Sequence, residues 1–105
     1  MITSSKMLIA ESGLIGPIVG HVGDGNFHII CVVSNENEEK RAQELSDRVV
    51  ELALKAGGTC SGEHGIGFGK KRYLEQELGS TTLALMKSLK KTLDPNNILN
   101  PDKVL

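Results

Sequence analysis

The chain has no tryptophan, one tyrosine and two phenylalanines among its 105 residues, so any interior must be filled mainly by aliphatic side chains. Neither sign of charge dominates. Twelve basic and thirteen acidic residues leave a formal net charge of −1, so nothing marks a nucleic-acid or anionic-membrane binder of the electrostatic kind. No apolar run approaches the ~20 residues needed to span a bilayer. Met1 to Lys6 has neither a signal-peptide core nor an Arg-rich amphipathic pattern, so the chain reads as soluble and carries no address. Its two cysteines, Cys31 and Cys60, lie in apolar or β-like stretches without a CxxC spacing, which argues against a disulfide framework and fits a reducing compartment. The length allows one core at most, one domain or part of one.

Glycine is plentiful and unevenly placed. Five of the twelve fall between Gly13 and Gly25 and six between Gly57 and Gly69. The first cluster leads from Ile18-Val19-Gly20-His21-Val22 through Gly23-Asp24-Gly25-Asn26 to the apolar, β-branched run Phe27 to Val33, which predicts a hairpin closed by an Asp24-Gly25 type I′ turn. Between the clusters, Ala42, Leu45, Val49, Leu52, Ala53 and Ala56 recur at spacings of three and four and predict one face of a helix. Asn35 with Glu38 is a capping pair for its start, and Gly57-Gly58 is its stop. Lys70 to Leu78 predicts a short helix. Ser80 is read as the cap of a second amphipathic helix, with Leu83, Met86, Leu89 and Leu93 as a core or interface stripe and Pro95 as its end. Two good strands and one short candidate at Thr59-Cys60 make a marginal sheet, so further strands are expected from an upstream segment or a partner.

With Asp24-Gly25 as a two-residue loop, Val22 pairs with Phe27 and His21 with His28. Directly opposed residues of an antiparallel pair share a face with Cβ atoms about 4.5 to 5.5 Å apart, which suits two imidazoles converging on one ion. Two histidines alone are more often a strand start and a turn decoration than a metal site. The third histidine alters the balance: Glu63-His64 lies in a glycine-rich segment, and a strand at Thr59-Cys60 beside the hairpin brings Glu63 into range. Two His and one Glu form a ligand set with an open position, as in catalytic sites. In an extended segment neighbours point in opposite directions, so if Glu63 binds the cation, His64 either is free to face the substrate and accept a proton from the acidified hydroxyl or is a solvated loop residue.

Other patterns fall away. Gly65-Ile66-Gly67-Phe68-Gly69-Lys70 lacks the first Gly and the final Ser or Thr of a phosphate loop, and Lys70 stands where a dinucleotide fingerprint needs its third glycine. Lys70-Lys71-Arg72 is read as a solvated helix start and Cys60 as a small core residue.

Three segments in order, Gly20-His21-Val22-Gly23-Asp24-Gly25-Asn26-Phe27-His28, Gly62-Glu63-His64-Gly65-Ile66-Gly67, and Leu93-Asp94-Pro95 with Asn100-Pro101, resemble the C-terminal substrate domain of FAD-linked 2-hydroxyacid dehydrogenases. The resemblance spans residues 8–105 and leaves residues 1–7 unmatched. It implies an α+β fold, an antiparallel sheet with helices packed on one face, of ferredoxin-like type and incomplete here. By resemblance, His21, His28 and Glu63 are ligands of a divalent metal, Zn or Mn, His64 is the catalytic base, and Asn100 lies near the flavin. The implied reaction is oxidation of a small D-2-hydroxy acid, D-lactate in first place, with hydride passing to FAD and electrons leaving to a cytochrome or another acceptor. The domain that binds FAD in this family is absent, so the chain is expected to be inactive alone. Ile30 replaces the Asn that hydroxyglutarate-oxidising members carry, which favours a monocarboxylate, and Asp102 replaces the Gly usual in lactate-type tails. The family's eukaryotic lactate-type members imply a mitochondrial location, otherwise a cytoplasmic one. Two further readings stand beside this one: a stand-alone metal-binding module without catalytic activity, and glycolate- or D-2-hydroxyglutarate-type specificity. A His2Glu hydrolase is weaker, since no acidic residue is placed to activate water.

Overall fold

The structure is a computed structural model describing all 105 residues. It is α+β: four α-helices and one two-stranded antiparallel sheet. The chain divides into two compact units, Met1–Gly62 and Glu63–Leu105.

In the first unit, helix α1 (Ile2–Ser12) runs to Gly13, whose backbone turns left-handed at φ 67. No residue of the sequence announces this helix: its N-cap Met1 makes no side-chain cap bond, and Ile2, Met7, Leu8 and Ile9 bunch instead of recurring along one stripe. Helix α2 (Glu36–Lys55) follows the predicted pattern. Asn35 Oδ1 accepts from the Glu38 amide at 2.9 Å, while Glu38 Oε2 accepts from the Ser34 amide at 2.8 Å, so two orphan donors at the helix entrance are satisfied. At its exit the Gly58 amide donates to Ala53 O (2.8 Å) and the Gly57 amide to Leu54 O (3.0 Å), a Schellman closure that needs Gly57 at φ 77. Leu45 of α2 buries with Leu8 and Leu14, and Ile9, Cys31, Ala42, Val49 and Leu52 pack around them. Arg41 Nη1 ties the helix to the end of α1 by donating to Ser12 O at 3.0 Å.

Strands β1 (Ile18–Val19) and β2 (His28–Ile29) pair antiparallel, with Ile18 opposite Ile29 and Val19 opposite His28. A further bridge joins Ile15 and Val32. The register differs by two residues from the expected one. The reason is the turn: in place of a two-residue type I′ loop, Val22–Asp24 form a 3-10 turn and Gly25 closes it at φ 76. The His21 carbonyl accepts from the amides of Asp24 (2.9 Å) and Asn26 (3.2 Å), making a four-residue loop. The strand expected at Thr59-Cys60 does not form; the segment passes from the α2 exit into bends, although Cys60 is buried as expected.

In the second unit, a 3-10 turn (Lys71–Tyr73) leads into α3 (Leu74–Leu78), and α4 spans Ser80–Leu93. Tyr73 and Leu74 are buried. Ser80 is the first helical residue, not the cap. Gly79 ends α3 by donating to Glu75 O (2.8 Å) and opens α4 by accepting from the Leu83 amide (3.1 Å), so a single residue at φ 81 serves both helices. Along the α4 stripe Leu83 and Met86 are half-buried, whereas Leu89 and Leu93 are exposed. Asp94 leaves the helix before Pro95, as a residue preceding proline is pushed to do.

Candidate functional site

The altered register still brings the two hairpin histidines together. A shift of two preserves the faces of a strand, where a shift of one inverts them. Val19 stands opposite His28, and His21, two residues on, is the diagonal neighbour on the same side. The imidazole centroids lie 6.4 Å apart at 85°, and a ring nitrogen of each lies within 4.8 Å of the other. Gly20 makes the approach possible. A Cβ there would lie 2.5 Å from Phe27 Cα and 2.9 Å from Asn26 O, and its φ of 151 suits only glycine. His21 is exposed and His28 half-buried, so the pair opens to solvent on one side.

Glu63 is the first residue of the second unit, joined to the first through Gly62. The segment is a turn, not an extended strand: Gly62 and Gly65 have φ 60 and 76 on either side of Glu63-His64. The expected opposition of the two side chains is therefore lost, and His64 Nε2 stands 3.6 Å from Glu63 Oε1. A carboxylate beside an imidazole can orient the ring. Both side chains are exposed.

Asn100 lies in the tail after α4, exposed, at φ 45, with its carbonyl accepting from the Lys103 amide at 3.2 Å. The sequence reading missed what holds this tail. Asp94 is buried. Its carboxylate accepts from Lys90 Nζ and from the amides of Ile98 (3.0 Å) and Leu99 (2.9 Å). The Lys90 hydrogen bond first, then the Leu99 amide, hold its pKa down at about 2. The available signal was Asp94-Pro95-Asn96-Asn97, the composition of a turn in which a carboxylate bonds amides just downstream. Asp102 has φ 60; aspartate is among the few residues that adopt this region readily.

The chain belongs to the family of FAD linked oxidases, C-terminal domain, whose model matches residues 1–104. It is similar to D-lactate dehydrogenase [cytochrome] 1, mitochondrial, of Saccharomyces cerevisiae, 47% identical over 99% of this chain and 18% of that protein. It is also similar to the mitochondrial D-lactate dehydrogenase [cytochrome] of Arabidopsis thaliana, 46% identical over 100% of this chain and 19% of that protein. Glycolate oxidase subunit GlcD of Bacillus subtilis is 44% identical over 81% of this chain and 18% of that protein. The chain thus spans about a fifth of the length of these relatives.

Proposed function

We propose that the chain is the metal- and base-bearing part of a FAD-dependent D-2-hydroxyacid dehydrogenase that oxidises D-lactate to pyruvate. The observation that carries this reading is the convergence of His21 and His28 across the hairpin, in a chain whose family is that of FAD linked oxidases. Two imidazoles with nitrogens within 4.8 Å of each other are a fitting start of a first-row divalent site, and Glu63 is assigned as the third ligand. Zinc or manganese would supply Lewis-acid polarisation of the substrate's hydroxyl and carboxylate, and FAD would accept the hydride from Cα.

The chain's own residues supply orientation and proton transfer. His21 and His28 offer neutral imidazole nitrogens, and Glu63 offers a carboxylate oxygen. His64 accepts the hydroxyl proton as the Cα hydride departs, so that one proton and one hydride leave D-lactate together and pyruvate results. The neighbouring Glu63 carboxylate orients the His64 ring. Asn100 lines the flavin side. FAD itself belongs to another domain, and the electrons pass on to a cytochrome or another acceptor. The location proposed in a eukaryotic cell is the mitochondrion, in keeping with the names of the yeast and plant relatives.

Supplying a flavin-binding domain of the family to the chain tests this reading. D-Lactate oxidation should appear, be lost on chelation, and be lost in His64→Ala; FAD added to the chain alone should give none. Oxidation of glycolate or D-2-hydroxyglutarate in preference to D-lactate would overturn the substrate assignment. Activity undiminished in His64→Ala would overturn the base.

A further inference from the structure

The tail carrying Asn100 is anchored at both ends. Asp94 holds its start, through Lys90 and the amides of Ile98 and Leu99. Its far end is bound to the glycine-rich segment that follows His64. The Val104 amide donates to Gly67 O at 3.1 Å. Lys71 Nζ donates to the main-chain oxygens of Leu105 (2.5 Å) and Asp102 (3.3 Å), and Lys103 Nζ sits 3.8 Å from the centroid of the Phe68 ring. Between these anchors Asn97, Asn100, Asp102 and Val104 all have positive φ, from 45 to 68. For a β-branched valine that conformation is an outlier, and such conformations persist where surrounding contacts over-determine them. Gly65, Gly67 and Gly69 give the facing segment more backbone freedom than any other residue type would, so the anchors to the tail restrict it most there.

Lys71 stands at the junction. Its place in a basic cluster predicts a solvated helix start, but it is half-buried and two of its three N–H donors go to the tail. We infer that Lys71 is a positioning residue which locks the Asn100 tail to the segment next to His64, so that proton acceptor and flavin-side residue move as one body. The inference rests on the roles of His64 and Asn100 proposed above.

Amide hydrogen exchange in the full 105-residue chain tests the lock, comparing wild type with Lys71→Met, which removes the ammonium, and Lys71→Arg, which keeps a charged donor. In Lys71→Met the tail amides of residues 103 and 104 and the loop amides of residues 71 and 73 should all exchange tenfold or more faster, with α4 unchanged and Lys71→Arg near wild type. Faster exchange in the tail with the loop amides unaltered would overturn the inference. If Lys71→Met does not fold, Lys103→Met allows the same comparison. With a flavin-binding domain supplied, Lys71→Met should lower kcat about tenfold at unchanged KM, with rescue in Lys71→Arg. Lowered thermal stability at unchanged kcat per bound flavin would make Lys71 merely structural and overturn its positioning role. A wild-type assembly that oxidises no 2-hydroxy acid would remove the proposed function, while the exchange comparison would still decide the lock.

Discussion

Gly20→Ala is the perturbation that most sharply tests how the hairpin brings its histidines together. The new methyl would lie 2.5 Å from Phe27 Cα and 2.9 Å from Asn26 O, both main-chain atoms of the segment leading into β2, so no side-chain rotation relieves it. Over-packing of this kind costs about 1–3 kcal/mol. The backbone at φ 151 adds strain on the order of 1–3 kcal/mol for a residue with a Cβ. One opening of the hairpin relieves part of both, so the net loss should be about 3 kcal/mol, a large fraction of the roughly 5–15 kcal/mol that holds a small domain together. Gly23→Ala is the control: nothing lies within 4 Å of its Cβ position, and its effect should stay within about 1 kcal/mol. Urea unfolding followed by circular dichroism measures both. A Gly20→Ala chain within 0.5 kcal/mol (about the size of an ordinary surface substitution) of wild type, or no less stable than Gly23→Ala, would refute the close-approach argument.

Ser5 is fully buried in α1 with no hydrogen-bond partner for its hydroxyl. Ser5→Ala should therefore stabilise the chain by about 1 kcal/mol, from the unpaired hydroxyl and the better helix propensity together, seen as a higher urea midpoint. Asn35→Ala removes the side-chain cap of α2 and should cost about 1 kcal/mol in the same assay. The Asp94 carboxyl titrates at about 2 when folded against an ordinary 3.8. Its stabilisation is therefore complete above about pH 4 and lost as pH falls towards 2, when the unfolded chain binds the proton more readily. Asp94→Asn should flatten the wild-type decline in thermal stability over that window; an unchanged slope would contradict the assignment.

Much of the first unit was legible. Helix α2 shows its apolar spacing, its Asn35 cap and its paired glycines openly, because each signal is local. The hairpin and the meeting of His21 with His28 were legible too, but the turn was not: Asp24-Gly25 suits a two-residue loop, and only the His21 carbonyl bonds to Asp24 and Asn26 reveal the four-residue one. The pairing survived because the error was an even number of residues. Helix α1 was hidden because its burial depends on Leu8 meeting Leu45, a contact between distant residues with no periodic trace in the local sequence. Glu63-His64 was read as extended, while the left-handed glycines on either side turn it. The anchor at Asp94 is marked only by the turn composition of Asp94-Pro95-Asn96-Asn97, and Lys71 bonds main-chain oxygens, which leave no mark in a sequence.

The central proposal is that His21 and His28 hold a divalent ion, with Glu63 assigned as its third ligand. Its most direct test is titration of the chain with Zn²⁺ and Mn²⁺, wild type beside His21→Ala and Glu63→Ala, following binding and thermal stability together. The account predicts one ion bound by wild type with a raised melting temperature, and both effects lost in each variant while the fold persists. Binding that is unchanged in either variant, or absent from a folded wild-type chain, would contradict it.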